Sequence, residues 1–247
     1  MTLETTAERV TLPLADPFTI SRSTQTDAEN LIVTVTDEAG HTGVGGAAPS
    51  KHYGETADTV AAVLSDLLVD VESVGDPHAL EQIEARMRST VADNPAARCA
   101  VSIAMWDLAA KRVDLPLYRL WGLDPSATPA TSFTVGIDTT ARMHEKAAAA
   151  AEAGYSVLKV KLGGDRDREI VEAVREAAPA ATLRVDANEA WTPREAVTKS
   201  GWLADLGVEF VEQPVPASNR EGLRFVYERS ALPIAADESC VTAADVP

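Results

Sequence analysis

Four charged residues, Lys161, Asp186, Glu212 and Asp237, recur in the second half of the chain at intervals of 25, 26 and 25 residues. Each lies at the end of a short apolar run that reads as a strand: SVLKVKL, TLRVDAN, VEFVEQP and PIAADES. One interval holds one strand, one helix and two loops. The spacing therefore describes a repeated strand–helix unit that returns a charge to the same strand end each time. In a parallel (β/α) barrel those strand ends open onto the face that carries active sites.

Strands are expected at 131–137, 156–162, 182–188, 208–214 and 233–238, with helices at about 140–153, 166–178, 193–205 and 219–229. Strict alternation implies a parallel sheet. An open doubly wound sheet also alternates, but it carries a glycine-rich loop after its first strand, where this chain has Asp138-Thr139-Thr140. The barrel is preferred. Only five of its strands fall in the sequence, against about eight in a complete barrel. The expectation is a fragment, or a barrel that a partner completes.

Residues 1–121 read differently. AENLIVTVTDEAGHTGVGGAAP gives two antiparallel strands joined by a turn at Glu38-Ala39-Gly40, and ERVTLPLADPFTI supplies a third. Helical patterns follow, the last opening with Asn94 as cap and Pro95 at the first helical position. The fold class is α/β: an α+β capping domain over 1–121, then a partial (β/α) barrel over 122–247. The formal net charge of -16 opposes nucleic-acid binding, which needs basic surface to neutralise phosphates. It suits a solubilising surface or a high-salt environment. No apolar run approaches the ~18 residues of a membrane span. Two cysteines distant in sequence, Cys99 and Cys240, suggest a reducing cytoplasm.

Residues two apart on a strand share a face, so Lys159 joins Lys161, and Arg184 and Asn188 join Asp186. Three carboxylates from separate strands (Asp186, Glu212 and Asp237) suit Mg²⁺, a hard cation that takes oxygen ligands. Zinc would bring His or Cys, and none of the four histidines lies at these positions. Arg184 is expected to orient Asp186. A lysine acts as base only when part of it is neutral, and a neighbouring ammonium and a nearby cation both favour that. Such a lysine beside a carboxylate-bound metal suits removal of the proton next to a substrate carboxylate.

At these residues the chain resembles the enolase superfamily, in its muconate-lactonizing subgroup. LKVKLG at 158–163, RVDANEAW at 184–191, VEQPVP at 211–216 and ADES at 236–239 carry the resemblance. It implies Lys161 as the acid/base with Lys159 as companion, and Asp186, Glu212 and Asp237 as Mg²⁺ ligands. Asn188 and Glu238 would be supporting groups. Loops that cover the substrate in this family correspond to residues 18–25 and 50–54, making Arg22, His52 and Tyr53 candidate contacts. The second catalytic lysine of the family, on a sixth strand, is not in this sequence.

APSKHYGETADTV at 48–60 and TSFTVGID at 131–138 look most like dipeptide epimerases. Gly46 is a departure, because relatives commonly carry glutamate there. The implied function is a Mg²⁺-dependent epimerase acting on a small carboxylate such as L-Ala-L-Glu. o-Succinylbenzoate synthase and muconate-type cycloisomerase share its first half-reaction, and a truncated, non-catalytic metal-binding relative is the reading from another class. The resemblance also implies homo-oligomers, since family members often assemble through their barrels.

Overall fold

The computed structural model describes residues 2–246 and divides into two compact units. The first holds the chain up to Ala15 and residues Asp27–Thr128; the second holds Asp16–Thr26 and the chain from Pro129 onward. The sequence division at 121/122 is contiguous, whereas the second unit also includes the segment Asp16–Thr26.

A three-stranded sheet runs in the order β1 (Leu3–Ile20), β2 (Ser23–Asp37), β3 (Thr42–Ala47), followed by helices α1 (Ala57–Val74), α2 (Leu80–Thr90), α3 (Pro95–Arg112) and α4 (Leu117–Leu120). β2 and β3 pair antiparallel from Leu31↔Ala47 to Thr36↔Thr42. Leu31, Val33 and Val35 alternate into a core with Val60, Leu64, Leu67, Met105 and Leu108. The glycines of TGVGGA have a physical cause. A Cβ on Gly43 would lie 2.1 Å from the Ala104 carbonyl oxygen, and one on Gly45 would lie 1.9 Å from that of Ala100. Backbone therefore packs directly against the alanine face of α3. Gly46 points the other way, its nearest contact being the Ile32 side chain at 3.8 Å.

Pro95 opens α3 as expected, but Asn94 does not cap it. Asn94 takes a left-handed φ of 51° and its side chain donates to the Ala92 carbonyl. The buried Glu55 carboxylate accepts from the Ala96 N–H instead, at 3.1 and 3.2 Å. An anion at a helix N-terminus also meets the positive end of the macrodipole.

The second unit is built on five parallel strands: β4 (Ser132–Val135), β5 (Val157–Lys161), β6 (Thr182–Asp186), β7 (Val208–Glu212) and β8 (Ile234–Ala235). Helices α5 (Thr140–Glu152), α6 (Asp167–Ala177), α7 (Pro193–Asp205) and α8 (Arg220–Tyr227) alternate with them. Spatial order equals sequence order, β4-β5-β6-β7-β8. A doubly wound sheet would reverse its order at a switch point; this sheet does not. It is the barrel type of sheet, with five strands among the described residues.

Three of the four helix starts in this unit are specified by a local side-chain cap. Thr139 caps α5, Thr192 and Glu195 form a capping box with Pro193 at the first position of α7, and Asn219 caps α8. Leu158, Val160, Leu183, Val185 and Val211 bury against Met143, Ala147, Ile170, Val174, Leu203 and Val226 of the helices. With that face committed to the core, Lys159, Lys161 and Asp186 are turned to the other.

Candidate active site

Strand register sets the site. Lys161 lies opposite Asp186, Asp186 opposite Glu212, and Glu212 opposite Ala235, so the last residues of β5, β6 and β7 form one row. Asp237 follows two residues beyond β8. Carboxylate oxygens of Asp186, Glu212 and Asp237 lie within 4.8 Å of one another. That is close to the about 4 Å separating opposite ligands of an octahedral ion whose metal–oxygen distance is roughly 2.0–2.1 Å. The donor set and its spacing fit Mg²⁺.

Asp186 is fully buried, and its Oδ2 receives both Lys161 Nζ at 2.6 Å and Lys159 Nζ at 2.9 Å. Lys159 also reaches Glu212 Oε1 at 2.5 Å. Burial pushes the Asp186 carboxyl up, but the two ammonium groups outweigh it and hold it below the ordinary carboxylate range. Burial raises Glu212 against the pull of Lys159, helped by the charge of Asp186. Asp237 is likewise raised by burial, then by the charges of Glu238 and Asp186. The acidic groups are thus crowded enough to favour added positive charge. Lys159, the companion lysine, is held in its charged form. Burial does push it down, yet Glu212 and Asp186 outweigh burial and raise it.

Just past the row, the chain bends sharply. Asn188, Glu189 and Gln213 take φ of 42°, 70° and 32°, left-handed values uncommon away from glycine. Such strain gathers where surrounding structure fixes a functional geometry. The Asn188 N–H donates to Asp186 Oδ1 at 2.8 Å, and Asn188 Nδ2 donates to Glu238 Oε1 at 3.2 Å. Arg22 pairs with that same Glu238 oxygen at 2.9 Å and donates to the Asn188 carbonyl at 3.3 Å. Asn188 Oδ1 and Glu238 Oε2 are buried with no hydrogen-bond partner among the described residues, leaving two acceptors for a donor or cation.

Arg184 stands apart. It was expected to orient Asp186, but its Nε pairs with Glu209 at 2.6 Å and its guanidinium stacks 5.2 Å from the Phe210 ring. A register shift between β6 and β7 beside Leu183/Val185 accompanies this departure from the row. His52 and Tyr53 belong to the first unit, on the 3₁₀ turn Lys51–Tyr53, with their rings edge-to-face at 4.9 Å.

Two residues that sequence reasoning passed over organise the loops. Asp167, buried at the start of α6, accepts from the Gly163 and Gly164 N–H groups, both at 2.9 Å, from Trp191 Nε1 at 2.9 Å and from Lys199. Gln213 is fully buried directly after Glu212. Their signal was the motif itself: a glutamine inside VEQP and an aspartate four residues after LKVKLG.

Residues 2–122 match the mandelate racemase / muconate lactonizing enzyme N-terminal domain, and residues 142–247 match the enolase C-terminal domain-like family. The chain belongs to this family. Its relatives within the enolase superfamily include an L-Ala-D/L-Glu epimerase of Bacteroides thetaiotaomicron, 36% identical over 95% of this chain and 60% of that protein. A hydrophobic dipeptide epimerase of Enterococcus faecalis is 37% identical over 95% of this chain and 67% of its own length. Among solved structures, an Enterococcus faecalis dipeptide epimerase complexed with Mg and the dipeptide L-Leu-L-Tyr superposes with a TM-score of 0.90 at 34% identity, covering 99% of this chain and 70% of that one. The chain thus spans about two thirds of these enolase-superfamily relatives. No helix among the described residues is long and apolar enough to cross a membrane.

Proposed function

We propose that this chain carries the metal-binding and proton-handling residues of a Mg²⁺-dependent dipeptide epimerase, an isomerase that removes the proton next to a substrate carboxylate. The observation that carries the reading is the single row Lys161, Asp186, Glu212 with Asp237 beside it. Relatives bearing epimerase names, and one complexed with Mg and a dipeptide, support it. Asp186, Glu212 and Asp237 would hold the ion. When bound, Mg²⁺ supplies a positive charge for the substrate carboxylate and for the negative charge that develops on it.

The chain's own groups divide the remaining work. Lys159 is pinned between Asp186 and Glu212 and stays charged, so it steadies the carboxylates. Lys161 has one carboxylate partner, Asp186, and is the group assigned to take the α-proton. Asn188 and Glu238 brace the Asp186 loop, with Arg22 across them. The substrate class is a dipeptide with a free carboxylate.

The test is exchange of the α-hydrogen of L-Ala-L-Glu in deuterated water with Mg²⁺ present. Lys161→Ala should lower that exchange by roughly 10²–10⁴-fold, the usual contribution of a positioned base, with Mg²⁺ binding retained. Exchange that survives in Lys161→Ala refutes the assignment. The same reading places the protein in a reducing cytoplasm, supported by Cys99 and Cys240, both exposed and unpaired. It also includes assembly with copies of itself, which equilibrium sedimentation measures.

A further inference from the structure

We infer that Gln213 is the positioning residue that holds the third carboxylate of the metal site in place. The inference rests on the Mg²⁺ reading above and assigns a role to a residue that touches no substrate or metal. Asp186 and Glu212 end regular strands, so ladder hydrogen bonds fix them. Asp237 has no such support, because β8 ends at Ala235. The loop that carries Asp237 needs another anchor.

Gln213 supplies it with its whole hydrogen-bonding capacity. Its Oε1 accepts from the Asp237 N–H at 3.0 Å and from the Ser239 N–H at 3.1 Å. Its Nε2 donates to the Val215 carbonyl at 2.8 Å and to Ser239 Oγ at 2.5 Å. The backbone joins in: Gln213 N–H donates to the Ala235 carbonyl, and the Gln213 carbonyl accepts from the Glu189 N–H, both at 2.9 Å. One side chain and its own peptide groups thus tie together the loops after β6, β7 and β8.

The residue type follows from this inventory. An amide offers two acceptor lone pairs and two donors, and this site uses all four. A carboxylate has no donor for Val215, and an apolar side chain leaves the Asp237 and Ser239 N–H groups without this acceptor. The left-handed φ of 32° at Gln213 fits the same account: the bend turns the side chain away from the strand and toward the neighbouring loop.

The test is calorimetric titration of the full chain with Mg²⁺, for wild type, Gln213→Met, Ser239→Ala and Leu203→Ala, with thermal melts in parallel. Gln213→Met keeps the volume and removes the hydrogen bonds; its Kd should rise roughly 10–100-fold, as for other groups that orient metal ligands. Ser239→Ala removes one partner of Nε2, should raise Kd a few-fold, and decides the matter if Gln213→Met does not fold. Leu203→Ala, a core truncation in α7, should lower the melting temperature and leave Kd unchanged. Folded Gln213 or Ser239 variants that bind Mg²⁺ like wild type overturn the inference while the metal reading stands. A wild type that binds no Mg²⁺ overturns both.

Discussion

At Gly45 and Gly46, two adjacent glycines of one strand meet opposite fates, and the difference is measurable. A methyl group on Gly45 would enter the backbone of α3 at 1.9 Å, whereas one on Gly46 meets only the Ile32 side chain, at an ordinary contact distance of 3.8 Å. Gly45→Ala should therefore destabilise by at least about 1–3 kcal/mol, the range for overpacking. Gly46→Ala should be near neutral. Urea denaturation of the two variants checks this, and equal stabilities would show that α3 yields. Gly46 was singled out in the sequence because relatives carry glutamate there, while Gly43 and Gly45 drew no comment. A close approach of two backbones leaves no trace in periodicity, only an unexplained glycine. Gln213 was hidden for a similar reason: its partners are peptide groups of a loop 24 residues away, and peptide groups have no letter in a sequence.

Elements were legible where local chemistry decides them. Capping threonines and prolines mark α5 and α7, and apolar alternation marks β5, β6 and β7, whose observed bounds fall inside the expected spans. The row of site residues was legible too, since strand length and a constant interval determine which residues finish side by side. Arg184 was misplaced because its partner, Glu209, falls in the β6–β7 register shift, which spacing does not show. Asn94 was misassigned because its cap came from Glu55, distant in sequence.

The hairpin between β2 and β3 gives a pH-dependent prediction at this scale. Burial pushes the Asp37 carboxyl up, but the backbone and ring of His41, the Ala39 N–H and Arg112 together bring it from 3.8 to about 2. A depressed carboxyl contributes stability that is present above its ordinary value and lost as pH falls through the folded one. Asp37→Asn should therefore unfold at lower urea than wild type near neutral pH, and the gap should close as pH drops from about 5 toward about 2. A gap independent of pH would mean that packing of the turn, not its charge, is what the carboxylate provides.

For the whole molecule the governing quantity is charge: 38 acidic residues against 22 basic ones. Self-repulsion at -16 opposes compaction, and the Debye length falls from about 10 Å at 0.1 M salt to about 3 Å at 1 M. The melting temperature should climb as KCl is raised across that range. A flat response would assign the acidic surface to solubility alone.

The unbroken strand order has one more consequence. The two lysines and the three carboxylates arrive from four successive βα units, at one end of the sheet. The opposite end, where Gly154 and Gly207 turn the chain from helix into strand with φ of 92° and 70°, carries none of them. The sheet thus has a chemical end and a silent end. A fluorophore or peptide tag grafted at either of those turns would ride on the second unit as a passenger, leaving the carboxylates and lysines where the strands put them.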